Sequence, residues 1–338
     1  MSDNYAIFSD LHLGVHQNSS NWYKIANDWS DWFVDDLKKR NIKKILFLGD
    51  YFHSRSDISV NTLHVASDII NKFEDFELKM IVGNHCSFYK DKPDIHSLSI
   101  FKGYENIEIV DKPKMFNFDG KNVFMCPWGV EYSQIEECDV LMGHFEIQSF
   151  KMNTYKLCEH GFSSTDLGKK ASLIFSGHFH LRDEREYKKH KIIYVGNPFE
   201  MDYGDENSTK GYYVMNFNSM EYEFIENTLS PKHKKIKLSE FKESENLQIS
   251  NNIVKLIIDE KIEIEDLDKI STNIKQLKPN ALSFDNSIAF TPKIDLDDDE
   301  CDLSGVDMVK AISDFVDLLD IQEKETVVKY TVDLYKSI

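Results

Sequence analysis

Five short segments of this chain share one layout: an apolar strand ends, and an aspartate, an asparagine or a histidine follows at once. In open α/β sheets, the loops at the carboxyl ends of the strands converge on one edge, where ligands bind. The layout therefore predicts an α/β fold that gathers polar side chains from all five segments at one site. The segments are FSDLH with Asp10 and His12, FLGD with Asp50, IVGNH with Asn84 and His85, LMGH with His144, and FSGHFH with His178 and His180.

The first part of the chain alternates short apolar strands with amphipathic helices. Apolar residues three and four positions apart mark the helices. The predicted strands are Tyr5–Phe8, Ile45–Leu48 and Met80–Val82, and the predicted helices are Asn21–Arg40 and Ser59–Phe73. The apolar stripes are Trp22, Ile25, Trp29, Phe33 and Leu37 in the first helix, with Ser20 as its N-cap, and Val60, Leu63, Ala66, Ile70 and Phe73 in the second. This order predicts a parallel sheet with helical cover.

The remainder of the chain changes character twice. Residues 107–224 hold seven strand-like runs, which predict a layered α/β body built on two mixed β-sheets flanked by helices. A strand–helix–strand pattern over residues 252–284 predicts a small α/β accessory domain. An acidic run at residues 295–300 then precedes two amphipathic helices, which begin at Ser304 and near Asp320. We therefore predict three domains, over residues 1–230, 231–294 and 295–338.

The charge of the chain limits how it could hold nucleic acid. With 40 basic and 58 acidic residues the formal net charge is −18, which argues against a general basic coat. A local basic groove or bound metal ions could still supply positive charge. The lysines near residue 231 are one candidate for DNA contact, and a solvated linker is the alternative. They are Lys232, Lys234, Lys235 and Lys237.

The cysteines and the hydropathy pattern indicate a cytoplasmic protein. The five cysteines are odd in number and form no C-x-x-C motif, so neither a disulfide framework nor a cysteine zinc site is expected. No apolar run approaches the ~18–20 residues of a membrane-spanning helix, and the first ten residues carry no basic leader. We expect no membrane association.

Aspartate, asparagine and histidine at this density suit a pair of divalent metal ions, with Mn²⁺, Fe²⁺, Zn²⁺ and Mg²⁺ as candidates. Glycine precedes a candidate ligand at positions 49, 83, 143 and 177. We expect these glycines to let the backbone turn sharply and approach the ions closely.

The ordered motifs D-x-H, G-D, G-N-H, G-H and G-H-x-H resemble those of the calcineurin-like metallophosphoesterases over roughly residues 5–200. The longer strings DLHLG, GDYF, GNH, GHFE, GHFH, YVGNP and GDEN resemble the SbcD-type nucleases, and among them the phage-encoded nuclease subunits. This second resemblance covers nearly the whole chain.

The resemblance implies a role for each motif residue. Asp10, His12 and His180 would bind one metal ion, and Asp50 would bridge to the other. His85 would not ligate; it would stabilise charge on the phosphate and protonate the leaving oxygen. The ligands implied for the other ion are Asn84, His144 and His178.

The resemblance also implies an activity and partners. It implies a manganese-dependent DNA exonuclease and endonuclease that uses two metal ions. The protein would be a homodimer and the catalytic subunit of a complex with an SbcC-like ABC-type ATPase. Its C-terminal helices would contact that ATPase, and packing against the same chain is the alternative for them. The complex would act in DNA break processing and recombination.

Two positions depart from the pattern that the resemblance leads us to expect. Cys86 follows His85 where an aspartate would orient that histidine, so His85 could be less well poised. His53 stands near a position where an aspartate is expected, and either replaces a structural carboxylate or has no role.

Two other functions remain open from the sequence. One is a calcineurin-like phosphomonoesterase or cyclic-nucleotide phosphodiesterase with the same metal site. The other is a DNA- and ATPase-binding subunit whose catalysis has weakened through Cys86.

Overall fold

The computed structural model describes residues 4–90, 92–152, 156–243, 249–286, 313, 316 and 324–336. The chain divides into two compact units, residues 1–289 and 290–338. The helices are α1 Ser20–Lys39, α2 Val60–Lys72, α3 Ser164–Lys170, α4 Leu238–Glu243, α5 Ile264–Gln276 and α6 Lys324–Lys336. The strands are β1 Asn4–Phe8, β2 Lys44–Phe47, β3 Glu77–Ile81, β4 Ile107–Val110, β5 Lys114–Phe118, β6 Lys121–Cys126, β7 Val140–His144, β8 Leu173–Gly177, β9 Asp183–Glu186, β10 Lys191–Tyr194, β11 Gly211–Asn216, β12 Glu221–Glu226, β13 His233–Lys237, β14 Ile253–Ile257 and β15 Ala281–Asp285.

Two six-stranded sheets form the body of the first unit. The first has the order β12-β11-β1-β2-β3-β4, and the second has the order β5-β6-β7-β8-β10-β9. Strands β1 to β4 run parallel, as do β6, β7, β8 and β10, while the remaining strands pair antiparallel. Both sheets are therefore mixed, which confirms the predicted architecture of two mixed sheets flanked by helices.

Strand alternation explains how the sheets and helices form layers. Successive side chains of a strand point to opposite faces. In β1, Tyr5 and Ile7 lie in the apolar layer between the two sheets, whereas Ala6 and Phe8 pack against helices α1 and α2. Burial on both faces accounts for the almost continuous apolar character of these short parallel strands.

The structure confirms the extent of the first two helices and corrects details of both. The N-cap of α1 is Ser19 rather than Ser20. In α2, the predicted apolar face was wrong at Val60 and Leu63, whose exposed fractions are 85% and 38%. At ~100° per residue, Val60 lies opposite the face that is buried. The buried residues of this helix are Thr62, Val65, Ala66, Ile69 and Ile70.

A third sheet, of three parallel strands in the order β13-β14-β15, follows the body. It has its own apolar cluster, to which Val254 and Leu256 of β14 and Ile274 of α5 contribute. The strand–helix–strand pattern expected over residues 252–284 is present. Strand β13, which carries the lysine cluster, was not predicted. The acidic run and the start of the helix expected at Ser304 lie outside the described residues, so the domain boundaries at 230 and 294 remain predictions.

Within the described part of the chain, no helix combines the length and apolar character needed to cross a bilayer.

Candidate metal centre

The predicted site residues lie where parallel strands of both sheets end. Asp10, Asp50 and Asn84 follow strands β1, β2 and β3 of the first sheet. His144 is the last residue of β7, and His178 directly follows β8, so both come from the second sheet. Strands from two different layers therefore deliver their polar ends to one rim, as the sequence layout predicts.

Asp10, His12 and His180 form the first cluster, with ligand atoms within 4.8 Å of one another. His12 Nε2 lies 3.0 Å from His180 Nε2 and 3.8 Å from Asp10 Oδ1. Burial, together with the neighbouring His180, holds the pKa of His12 well below its usual range. His12 is therefore neutral, which is the form of imidazole that ligates metal ions.

Asp50, Asn84, His144 and His178 form the second cluster. Asn84 Oδ1 lies 2.8 Å from His144 Nε2 and 2.9 Å from His178 Nδ1. The other ring nitrogen of His144, Nδ1, donates to the carbonyl oxygen of Leu48 at 2.7 Å. This hydrogen bond fixes the ring so that Nε2 faces the other donors, an arrangement typical of metal-ligating histidines.

Asp50 connects the two clusters. Its Oδ2 lies 3.1 Å from His144 Nε2 and 3.7 Å from His12 Nε2, while its Oδ1 accepts the backbone N–H of His85 at 2.8 Å. Burial alone would raise the pKa of this carboxyl, but the adjacent His144 holds it well below its usual range. Asp50 is thus a fully ionised, buried carboxylate that faces both clusters.

The same pair changes the titration of His144. Burial disfavours the imidazolium, but the Asp50 carboxylate outweighs that effect and raises the pKa of His144 to about 9. A cation bound in the second cluster would replace this proton, because a ligating imidazole must be neutral. The donor set of both clusters, with imidazoles, carboxylates and an amide oxygen, fits divalent cations.

Four residues of the two clusters have a strained backbone conformation. Asp10, His12, Asp50 and His178 have φ values of 56°, 47°, 60° and 91°, a region that costs residues other than glycine about 1–3 kcal/mol each. Such conformations persist only where the surrounding structure enforces them, and they are often found at functional sites.

The glycines before the ligands act mainly through their size. Of the four, Gly49 has a positive φ of 109°, so the expected sharp turn is limited to that position. A Cβ on Gly83 would lie 2.2 Å from Asp50 Oδ1, and one on Gly177 would lie 2.1 Å from Ser9 Oγ and 2.9 Å from His144 Nδ1. Larger residues would therefore push the ligands apart.

His85 lies at the edge of the first cluster, with its ring centroid 4.8 Å from that of His12. Its Nδ1–H donates to the main-chain carbonyl of His53 at 2.6 Å. Cys86 is fully buried, and burial raises the pKa of its thiol to about 12. The acceptor that orients His85 is therefore a backbone oxygen, so the orientation does not depend on an aspartate at position 86.

Two further residues lie beside the clusters: sequence reasoning assigned no role to Glu146 and left the role of His53 open. Glu146 Oε1 lies 3.4 Å from His178 Nε2, on the side of the ring away from Asn84. The hydrogen bond from His178 lowers the pKa of Glu146, and a carboxylate in this position commonly orients a ligating histidine. The His53 ring stacks on that of His85 at 5.5 Å. The sequence feature that could have identified Glu146 is its position in the GHFE string, two residues after the predicted ligand His144.

The predicted DNA-binding lysines lie on or beside β13. Lys234 is half-buried, and Lys235 and Lys237 are exposed. The ammonium group of Lys232 lies 3.6 Å from Glu226, and that of Lys235 lies 3.7 Å from Glu206. Two of the four positive charges are thus partly balanced by neighbouring carboxylates.

Comparisons with known proteins agree with this fold. A model of the calcineurin-like phosphoesterase family matches residues 4–182, and the chain belongs to this family of metal-dependent phosphoesterases. Exonuclease subunit 1 of Enterobacteria phage T4 is 26% identical to it over 346 residues, which cover 96% of each chain. The family resemblance inferred from the motifs is confirmed.

Two solved structures are also similar. An archaeal phosphodiesterase has a TM-score of 0.38 and 13% identity, covering 66% of this chain and 99% of its own. A dimetal phosphatase from Danio rerio has a TM-score of 0.42 and 9% identity, covering 63% and 92%.

Proposed function

We propose that this chain is a manganese-dependent DNA nuclease with exonuclease and endonuclease activity. The observation that carries the proposal is the pair of adjoining clusters that share Asp50. The 26% identity to a protein named as an exonuclease subunit, over nearly the full length of both, supports DNA as the substrate.

The first cluster would hold one cation and the second cluster the other, with Asp50 between them. A pair of divalent cations supplies an activated water and neutralises charge on the phosphate oxygens. Asp50, ionised by its contact with His144, would keep both positions occupied together. Asn84 would contribute a neutral oxygen, so the second cluster carries less negative charge than two carboxylates would give.

His85 would act on the leaving group. With Nδ1 held by the carbonyl of His53, Nε2 is the ring atom that remains to donate a proton to the leaving oxygen. The backbone N–H of His85 is bound to Asp50, so the position of the proton donor is tied to that of the shared ligand.

The test is hydrolysis by the purified chain with Mn²⁺, using linear DNA beside p-nitrophenyl phosphate mono- and diesters. We expect DNA cleavage that Asn84→Ala abolishes, while Asn117→Ala, an exposed asparagine of β5, leaves it unchanged. Turnover of the monoester without DNA cleavage would favour a phosphomonoesterase. DNA binding without cleavage, even with an ATPase partner present, would favour a binding subunit.

The lysine cluster would contact the DNA backbone. Each phosphate contact contributes ~0.9 to the slope of log affinity against log salt concentration. We expect the double variant Lys234→Gln and Lys237→Gln to lower that slope by ~1–2 in a DNA-binding titration. An unchanged slope would assign these lysines to a solvated surface.

The C-terminal segment would contact an SbcC-like ABC-type ATPase in a complex that processes DNA breaks and acts in recombination. In α6, Val327 and Tyr330 are exposed at 36% and 72%, which leaves an apolar surface for a partner. We expect Tyr330→Glu to abolish copurification with the ATPase and to leave Mn²⁺ binding intact.

We further propose that the chain forms a homodimer, which light scattering would test. We also propose a cytoplasmic location, which is the cytoplasm of the host if the chain is phage-encoded.

A further inference from the structure

A hollow of about 210 Å³ adjoins the second cluster and is not used by the chemistry described above. Its lining includes Trp128, Val130 and Phe162 on its walls, with His144 and Glu146 from the metal side. It is smaller than the ~300–1,000 Å³ that enclose a drug-sized ligand. Its size therefore suits one planar ring system. We call it the Trp128 pocket.

The walls of the pocket are held in fixed positions. The Trp128 ring lies 5.1 Å from that of His178 and 6.1 Å from that of His144, and its indole N–H donates to the carbonyl of Lys90 at 2.7 Å. The backbone N–H of Phe162, another lining residue, donates to the carbonyl of Glu146 at 2.9 Å. A Cβ on Gly161 would lie 2.2 Å from that same carbonyl, so glycine is needed for this approach.

The chemistry of the pocket selects against a phosphate and favours the neutral part of a nucleotide. Among the described residues that line it there is no lysine or arginine, whereas Glu146 contributes a carboxyl group. A carboxylate repels phosphate but accepts hydrogen bonds from the amino groups of bases. Aromatic faces stack on every base, which makes such a pocket tolerant of sequence.

We infer that the Trp128 pocket receives an unpaired nucleobase of the DNA strand that is cut. The base belongs to a nucleotide next to the scissile phosphate, because the pocket shares His144 with the second cluster and borders His178. This inference rests on the nuclease function proposed above. Stacking on Trp128 and Phe162 would fix the strand relative to the cations, so the pocket positions the phosphate that is hydrolysed.

The test uses the wild-type protein and therefore does not depend on the folding of a variant. A single abasic site is moved through every position of a single-stranded oligonucleotide, and Mn²⁺-dependent cleavage is measured at each bond. We expect a roughly tenfold loss when the abasic site is next to the scissile phosphate on one side, in the range of base–aromatic stacking. Equal cleavage at every position, with the intact oligonucleotide cut normally, would overturn the inference and leave the nuclease function standing.

A variant separates base binding from other roles of the pocket. We expect Phe162→Ala to lower cleavage of intact DNA roughly tenfold, to make it insensitive to the abasic site, and to leave Mn²⁺ affinity unchanged. Phe284→Ala, at an exposed aromatic residue of β15, is the matched control and should behave as the wild type. If Phe162→Ala remains as sensitive to the abasic site as the wild type, the base does not bind there. If no protein cuts DNA, the proposed function fails, and the inference fails with it.

Discussion

The two clusters share a carboxylate but differ in how they are prepared for a cation. In the first, His12 is neutral and its Nδ1 is buried without a hydrogen-bond partner among the described residues. In the second, the raised pKa of His144 keeps its imidazole in the protonated, cationic form. Asn84 contacts both histidines there. The carbonyl of Leu48 binds Nδ1 of His144, and Glu146 binds Nε2 of His178. The second cluster is thus more rigidly supported but must lose a proton to bind metal. We expect the clusters to differ in affinity, pH dependence and sensitivity to substitution.

Asp50→Asn should have the largest effect, because Asp50 faces both clusters. The loss of Mn²⁺ affinity should exceed the ~10–100-fold typical of outer-shell partners, and both ions should be affected in calorimetric titration. Asp68→Asn, on the surface of α2, is the control. Loss of one ion alone would assign Asp50 to a single cluster.

Glu146→Gln should lower the Mn²⁺ affinity of the second cluster alone. An amide is a weaker acceptor for His178 than a carboxylate, and the expected loss in affinity for one ion is ~10–100-fold. Calorimetry should show the other ion binding as in the wild type, with Glu159→Gln as an exposed control. An equal loss of affinity for both ions would show that the two clusters do not bind their ions independently.

Changing the pH should distinguish the clusters without any substitution. The pKa of His144 is raised to about 9, so below that pH a cation must displace its proton. Affinity at the second cluster should therefore rise about tenfold per pH unit as pH increases towards 9, whereas His12, already neutral, adds no such dependence. Titration in buffers of different ionisation enthalpy measures the proton released, and no release near neutral pH would contradict the comparison.

Cys86→Ala should have the smallest effect. The thiol is buried and uncharged, and His85 is oriented by the carbonyl of His53. We expect turnover within about twofold of the wild type, with a modest loss of stability from the small cavity. If Cys86→Asp raised turnover instead, the carbonyl would be an inadequate substitute for the aspartate expected from the family resemblance.

The sequence predicted the parts of the site that depend on local pattern. The ends of parallel strands meet at a rim whatever the details of packing. The residues at or just after these ends are Asp10, Asp50, Asn84, His144 and His178. The contact of His85 with the carbonyl of His53 could not be predicted, because it depends on the path of a loop 32 residues away. The apolar pattern also did not predict which face of α2 is exposed, since Val60 and Leu63 are apolar but do not lie on its buried face.

Manganese stoichiometry combined with electron paramagnetic resonance tests the central claim most directly. If each cluster holds one ion and Asp50 lies between them, we expect two Mn²⁺ per chain. Ions ~3.5–4 Å apart should give a spin-coupled spectrum, and Asp50→Asn should abolish that coupling. One Mn²⁺ per chain, or two with the spectrum of isolated ions, would contradict the account.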